Sequence, residues 1–572
     1  MVRQGRHAGS GFCPREDDVF WPSQTNETGR EKWIRNVWHA GAHEGSIAPA
    51  RAIRPDAIMP NARIAPTLAR DERIQMTNKA AHALIDQQVT IEARDFRVTV
   101  VEDRPGNPES PAFTRLEIRA APALRIDLAL PAEWNGRLYV HGNGGFAGEG
   151  VDSPLRDPQR SRALSQGFAV AGSNTGHDDT VDILGSFASD PDKMLDYAHR
   201  AVHQTALVAK ELLGRIYGNG PSYSYFEGCS TGGRQAIMAA QRYPGDFDGI
   251  ICGAPVLDFT GSQLWGVKTG QILEGTGISH EEMRIVAKAL RDKCVAENQM
   301  EDGLIVDALH LDFDVLRDVP ISPEGAAAGT LTQAQAEAFA AVYAPAEIGA
   351  GRTFPGIPFG AEFIGAIMPG LEPASGWAGW FYRWDAGFFQ GADAGVRATF
   401  GETFLHYFLG YQGGWKDFDF SDAALDGLAD VSALMDATDP DLAPFAGTGG
   451  KLIMYHGLAD AALNPARAAA YFDDVRSTMG ADKVAEFARL YLVPGMFHCF
   501  GGYGPHLFDM LSPLREWVEN GNAPQSITAA EMSFDAPGVP TRTRPLCPYP
   551  CVSRYAGNGD ISRADSFDCI AE

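Results

Sequence analysis

Positive charge is scarce in this chain. Its 48 Lys and Arg residues stand against 73 Asp and Glu among 572 residues, a formal net charge of −25. A nucleic-acid-binding surface needs a basic face, so that class of partner is excluded, and the acidity serves solubility. No uninterrupted apolar run reaches the 18 residues of a membrane-crossing helix. No membrane partner is expected. Residues 1–50 carry scattered charges and lack the apolar core of a secretory signal. The eight cysteines include no C-x-x-C pair that meets a second one at zinc-site spacing. No internal repeat is apparent. What remains is a long chain, 45% hydrophobic, with 63 Gly and 36 Pro. That is enough for a large core, more than one structural unit and long loops.

Residues 1–80 show no clear periodicity and read as an N-terminal extension. Apolar–polar alternation predicts half-buried antiparallel strands at 96–101, 115–118 and 124–128. Trp134-Asn135-Gly136 marks a turn. A central strand at 137–140 should follow, and then a glycine-rich loop to Gly148. Further strands are predicted at 168–173, 223–227, 249–255, 451–457 and 490–493. Helices are predicted at about 198–217, 233–240 and 507–519. Strands alternating with helices argue for a mostly parallel sheet covered on both faces. The rhythm breaks between 258 and 440, so that stretch reads as an inserted lid domain between two catalytic parts, 81–257 and 441–572. It carries a dense aromatic cluster of Trp377, Trp380, Phe381, Tyr382, Trp384, Phe388 and Phe389.

Gly228-Cys229-Ser230-Thr231-Gly232 is a G-x-S-x-G motif between an apolar strand and a helix-like run. That context lifts a serine hydroxyl above the sheet of an α/β-hydrolase, the fold class expected here. The flanking residues are small because side chains would collide in so tight a turn. An activated serine needs a base, and the base needs an acid to hold its tautomer. The order Ser, acid, His is met by Ser230, by Asp460 after the strand at 451–457, and by His498 after the strand at 490–493. His456 precedes the acid and is expected to be structural, and His506 is a weaker competitor. One oxyanion donor should be the Thr231 N–H and the other that of Gly144 or Gly145. Cys229 precedes the serine and Cys499 follows the histidine. If the two side chains meet, a Cys229–Cys499 bridge would clamp them. Cys252 sits in an apolar run as a buried thiol. Cys547, Cys551 and Cys569 share a tail that a disulfide would staple, with the pairing left open by the residues themselves.

Several segments resemble the tannase/feruloyl esterase family, which includes bacterial hydrolases of mono(hydroxyethyl) terephthalate. They are Trp134-Asn135-Gly136-Arg137, Gly142-Asn143-Gly144-Gly145-Phe146, Gly228 to Gln235, Tyr455-His456-Gly457 with Asp460, Val493 to Cys499, and Arg544 to Pro550. The similarity runs over roughly residues 85 to 572. It implies Ser230, Asp460 and His498 as a triad, the Cys229–Cys499 disulfide, a lid, and esters of aromatic acids as substrates. It also implies that Cys547 pairs with Cys569. The expected enzyme is a serine carboxylesterase acting through an acyl-enzyme on gallate, ferulate or terephthalate monoesters, with Trp265, Trp377, Trp380 and Phe381 framing the flat acyl group. A peptidase or a non-catalytic binding protein on the same fold is the alternative.

The chain departs from the family at two points. Relatives commonly carry a calcium site in an aspartate-rich loop. Here Cys294-Val295-Ala296-Glu297-Asn298-Gln299-Met300-Glu301-Asp302 keeps only Asp302 of the matching carboxylates, with Glu297 and Glu301 nearby. Calcium wants several oxygen ligands, so no cofactor is required and tight calcium binding is not expected. Relatives are also usually exported, which suits disulfides. A secreted or periplasmic location is the expectation, although no signal is visible.

Overall fold

Ten strands form one sheet in a computed structural model of the chain. They are β1 (Gln88–Ile91), β2 (Arg94–Arg104), β3 (Phe113–Ala120), β4 (Leu124–Pro131), β5 (Arg137–His141), β6 (Ala169–Ser173), β7 (Tyr223–Cys229), β8 (Gly249–Gly253), β9 (Lys451–Gly457) and β10 (Ala488–Val493). The structure describes residues 70–571 except 109, 151, 154–155, 323–327, 367–372, 378–379, 382–394 and 533–538. Residues 1–69 of the expected extension, and Tyr382, Trp384, Phe388 and Phe389, lie outside the described residues. The spatial order is β1-β2-β3-β4-β6-β5-β7-β8-β9-β10. β1 to β4 form an antiparallel meander, and β4 pairs antiparallel with β6. From β6 across to β10 every pairing is parallel. This is the α/β-hydrolase architecture that the sequence predicts.

The central strands are short and buried along nearly their whole length, as a sheet covered on both faces requires. Helices Ala201–Tyr217, Thr231–Arg242 and Pro465–Met479 cover one face. Asp157–Ser165 and Leu511–Asn520 cover the other. The last helix starts at Leu511 rather than near 507. Leu507 is drawn into backbone pairing with Ala530 instead, its N–H donating at 3.0 Å and its carbonyl accepting at 2.8 Å. The meander also differs from expectation. Arg115, Glu117 and Asp127 are buried, not solvent-facing. The Arg115 guanidinium satisfies the acids, donating to Asp127 at 2.5 Å, to Glu102 at 2.9 Å and to Glu117 at 3.1 Å.

Between β8 and β9 the chain leaves the sheet and builds a second hydrophobic cluster around Trp265, Phe339, Trp377, Phe400 and Phe404. Its two ends meet where the Ala437 N–H donates to the Leu257 carbonyl at 2.7 Å. Beside that bond, the Thr260 N–H and hydroxyl both reach the Asp436 carboxylate at 2.9 Å. The insert touches the body again where Ala366 and Gly502 exchange backbone hydrogen bonds at 3.0 and 2.8 Å. No helix among the described residues is long and apolar enough to cross a membrane.

The turn after β7 depends on close backbone approach. A Cβ at Gly228 would lie 2.5 Å from the Gly232 carbonyl oxygen, and one at Gly233 would lie 2.3 Å from that of Gly253. Neither oxygen belongs to a side chain that could swing away. Gly233→Ala is therefore expected to lower unfolding stability by about 1–3 kcal/mol, the usual cost of overpacking, read as an earlier urea midpoint. An unchanged midpoint would show that the turn has slack.

Candidate active site

Ser230 sits at the tip of that turn with φ of 65° and ψ of −121°, a conformation that non-glycine residues rarely adopt. Its backbone is fully engaged. The N–H donates to the Gly253 carbonyl at 3.0 Å, and the carbonyl accepts from Arg234 at 3.1 Å and Val256 at 3.3 Å. The hydroxyl is half-buried and free of hydrogen bonds to the described residues. Cys229 is bonded to Cys499 across a separation of 270 residues, with Cα atoms 6.0 Å apart. Cys499 also has φ of 65°. Ser230 and His498 flank this bridge, one on each side. In free enzymes the serine–histidine bond is often long and tightens only with substrate bound.

His498 Nδ1 lies 2.8 Å from Asp460 Oδ2. Asp460 is fully buried, and its Oδ1 accepts from the N–H groups of Ala462 at 2.9 Å and Leu463 at 3.1 Å. Burial by itself would raise the carboxyl pKa. The charge of His498, with hydrogen bonds from His456 and His498, outweighs burial and holds Asp460 well below the usual carboxylate range. The carboxylate is thus ionised and aimed at the imidazole, which leaves Nε2 of His498 as the nitrogen available for proton transfer.

The loop after β5 lies beside the serine. The Gly145 carbonyl accepts from the Thr231 hydroxyl at 2.5 Å and from the Tyr197 hydroxyl at 3.0 Å. The Asn143 side chain anchors the same loop through donations to Ser173 at 2.8 Å and Glu149 at 3.0 Å. The N–H groups of Thr231, Gly144 and Gly145 have no acceptor among the described residues, so any of them can serve an incoming oxygen.

The four candidate aromatic residues are placed differently. Trp380 meets His498 edge to face, with centroids 5.1 Å apart. Trp265 and Trp377 are fully buried in the insert. Trp265 stacks on Phe354 at 5.3 Å, and Trp377 packs on Phe339 at 5.4 Å. Phe381 lies against both indoles, at 5.5 and 6.2 Å. Phe400 and His456 are two further neighbours of the site, the first not singled out from the sequence and the second expected there to be structural. Phe400 comes within 3.4 Å of where a Gly145 Cβ would stand, and nothing in the local pattern signalled it. His456 Nε2 lies 3.1 Å from Asp460 Oδ2. The signal for it was its place four residues before Asp460 at a strand end.

Residues 294–302 do not present a calcium cage. The Asp302 carboxylate accepts from Arg544 at 2.5 Å, and its carbonyl accepts from Arg542 at 2.6 Å. Glu301 accepts from the Tyr555 N–H at 2.9 Å, and Glu297 pairs with Lys293 at 3.0 Å. The donor set already faces cationic side chains, and it does not fit the hard oxygen-rich shell that calcium takes. In the tail, Cys547 is bonded to Cys569 with Cα atoms 5.6 Å apart. Cys252, Cys294 and Cys551 form no disulfide among the described residues.

The sheet topology and the serine turn define the class as α/β-hydrolase. The chain belongs to the tannase and feruloyl esterase family, whose model matches residues 112–570. It is 32% identical over 499 residues to a mono(2-hydroxyethyl) terephthalate hydrolase of Piscinibacter sakaiensis, covering 78% of this chain and 81% of that protein. It is 28% identical to a probable feruloyl esterase B-1 of Aspergillus terreus, over 87% of this chain and 96% of the relative. Among solved structures, feruloyl esterase B from Aspergillus oryzae superposes with a TM-score of 0.73 at 23% identity, over 87% of this chain and all (100%) of the other.

The depressed ionisation of Asp460 has a consequence for stability. Its folded value lies below the unfolded carboxylate value of about 3.9. The stabilisation it contributes is therefore complete above that pH and lost as the pH falls through the folded value. Asp460→Asn is expected to be less stable than the parent at pH 7 in urea unfolding, with the gap narrowing as the pH drops below about 4. A gap independent of pH would mean that the carboxylate charge is not what the fold depends on.

Proposed function

We propose that this chain is a serine carboxylesterase that cleaves esters of aromatic acids through an acyl-enzyme. The observation that carries the reading is the 2.8 Å Asp460–His498 bond, tied to the strained Ser230 by the Cys229–Cys499 bridge. His498 Nε2 takes the Ser230 proton as the hydroxyl oxygen attacks the ester carbonyl. The N–H of Thr231 and that of Gly144 or Gly145 hold the developing oxyanion. The imidazolium on His498, stabilised by Asp460, then gives its proton to the leaving alcohol. Water, activated by the same imidazole, releases the acid and restores Ser230. The insert, residues 258–440, acts as a lid over the site. In this reading Trp380 presents an aromatic edge to the acyl group, and Phe381, Trp265 and Trp377 back it. The names of the relatives, esterases of ferulate and of a terephthalate monoester, support flat aromatic acids as substrates.

The reading includes no metal. Asp302 has Arg544 and Arg542 as its cationic partners, which supports activity and stability without calcium. The two disulfides support an oxidising compartment, where such bonds persist.

Methyl gallate, methyl ferulate and a terephthalate monoester, assayed side by side, test the reading. At least one is expected to be turned over, and Ser230→Ala should lower kcat by about 10⁴-fold or more. A folded wild type that hydrolyses none of them would favour a binding protein on the same scaffold. Chelation by EDTA and addition of calcium should both leave the thermal midpoint unchanged. A rise of several degrees with calcium would overturn the metal-free reading.

A further inference from the structure

Asp460 receives more donors than a proton relay needs. Its Oδ2 meets both His498 Nδ1 at 2.8 Å and His456 Nε2 at 3.1 Å. His456 is buried at the end of β9, and the same Nε2 lies 2.9 Å from the Leu463 carbonyl oxygen. A carbonyl oxygen only accepts, so the proton is on Nε2 and is shared between the two oxygens. Nδ1 is buried without a partner among the described residues. A second proton there would find no acceptor among the described residues, and a buried N–H left without one is costly. The ring is therefore neutral, with a single fixed tautomer.

We propose that His456 is a positioning residue for acyl transfer: its Nε2–H holds the Asp460 carboxylate turned toward His498 without itself carrying charge. The inference rests on the esterase reading above. Neutrality matters because the imidazolium formed on His498 draws on the carboxylate charge. A cationic second donor on the same oxygen would cancel part of it, whereas a neutral N–H fixes direction at little cost in charge. Arg397, on the lid helix Val396–Tyr407, is a further charged group that faces Asp460. Arg397 is already engaged, donating to the Ser262 hydroxyl at 2.8 Å and lying 5.5 Å over the Trp265 ring.

Histidine-labelled Ser230→Ala protein provides a test that needs no substrate. Its ¹⁵N spectrum is expected to show His456 protonated on Nε2, and a proton on Nδ1 would overturn the proposal. The low-field proton on His498 Nδ1 should move in His456→Phe and return toward its original position in His456→Gln, whose amide N–H can reach the same oxygen. His456→Met serves as a second donor-free variant if the phenylalanine does not fold. An unmoved resonance in a folded donor-free variant would overturn the proposal. In the active protein, the donor-free variant should lose about tenfold or more in kcat, the scale found when the hydrogen-bond partner of a metal-ligating side chain is removed. KM should stay constant, the pH at which the rate rises should shift, and glutamine should restore both kcat and that pH. A purely structural role would lower the amount of active enzyme and leave the pH profile where it was. Absence of turnover by the wild type would count against the esterase reading alone, because the spectra do not depend on it.

Discussion

The bond between Cys229 and Cys499 governs the geometry of the site, because the strands that carry its two ends are not neighbours. β8 and β9 lie between β7 and β10 in the sheet. At about 4.8 Å per strand, that separation is about 14 Å, yet the bridged Cα atoms are 6.0 Å apart. The loop after β10 must therefore run back across the carboxyl ends of two strands. Its path is held from below. The Leu458 N–H donates to the Val493 carbonyl at 2.9 Å, and that of Ala459 donates to Met496 at 3.0 Å. The acid loop is thus sandwiched between the strand ends and the histidine loop. Asp460 meets His498 as a consequence of that stacking.

The same stacking makes Asp460 expensive to bury and explains its surroundings. A carboxylate taken out of water needs its lone pairs filled. Two backbone N–H groups serve one oxygen and two imidazoles serve the other. The tight turn at 460–463 supplies the backbone donors, so part of the solvation of the acid is built into the chain path. Fixed donors resist reorientation, and such preorganisation is what an electrostatic contribution to catalysis requires.

The local parts of this molecule were legible in the sequence and the layered parts were not. The turn at Ser230 could be read because glycines, strand and helix all lie within about twenty residues and each has its own chemical signature. The meander was misjudged in one respect. Alternation of Arg115 and Glu117 with apolar neighbours suggests a wet face, but mutual ion pairing and the helix Asp157–Ser165 let that face be buried. The start of the last helix was placed early because pairing of Leu507 with Ala530, a contact across 23 residues, leaves no trace in local periodicity. Chain order marks His456 as structural, and it cannot show that His456 and His498 share one carboxylate oxygen of Asp460 in space. Trp265 and Trp377 looked like candidates for substrate contact, and they are buried in the insert. Composition cannot separate an aromatic residue that lines a cleft from one that supports its wall.

The short hairpin of Met300–Glu301 and Leu304–Ile305 and the tail illustrate how one charge requirement can be met from a distant part of the chain. Asp302 sits in a turn with φ of 50° and carries a carboxylate that is only partly exposed. Its counter-charge comes from Arg544, 242 residues later, with Arg542 bonded to the carbonyl of the same residue. Both arginines lie on the strand Pro540–Leu546, which leads directly into Cys547 and its bridge to Cys569. Three residues beyond that strand, the Tyr549 N–H donates to the Leu490 carbonyl on β10 at 2.8 Å. A chain of contacts thus links Asp302 through the tail to the strand that precedes the histidine loop. Among the points where the insert meets the body, those at Gly502 and Asp302 both lead to the segment that presents His498.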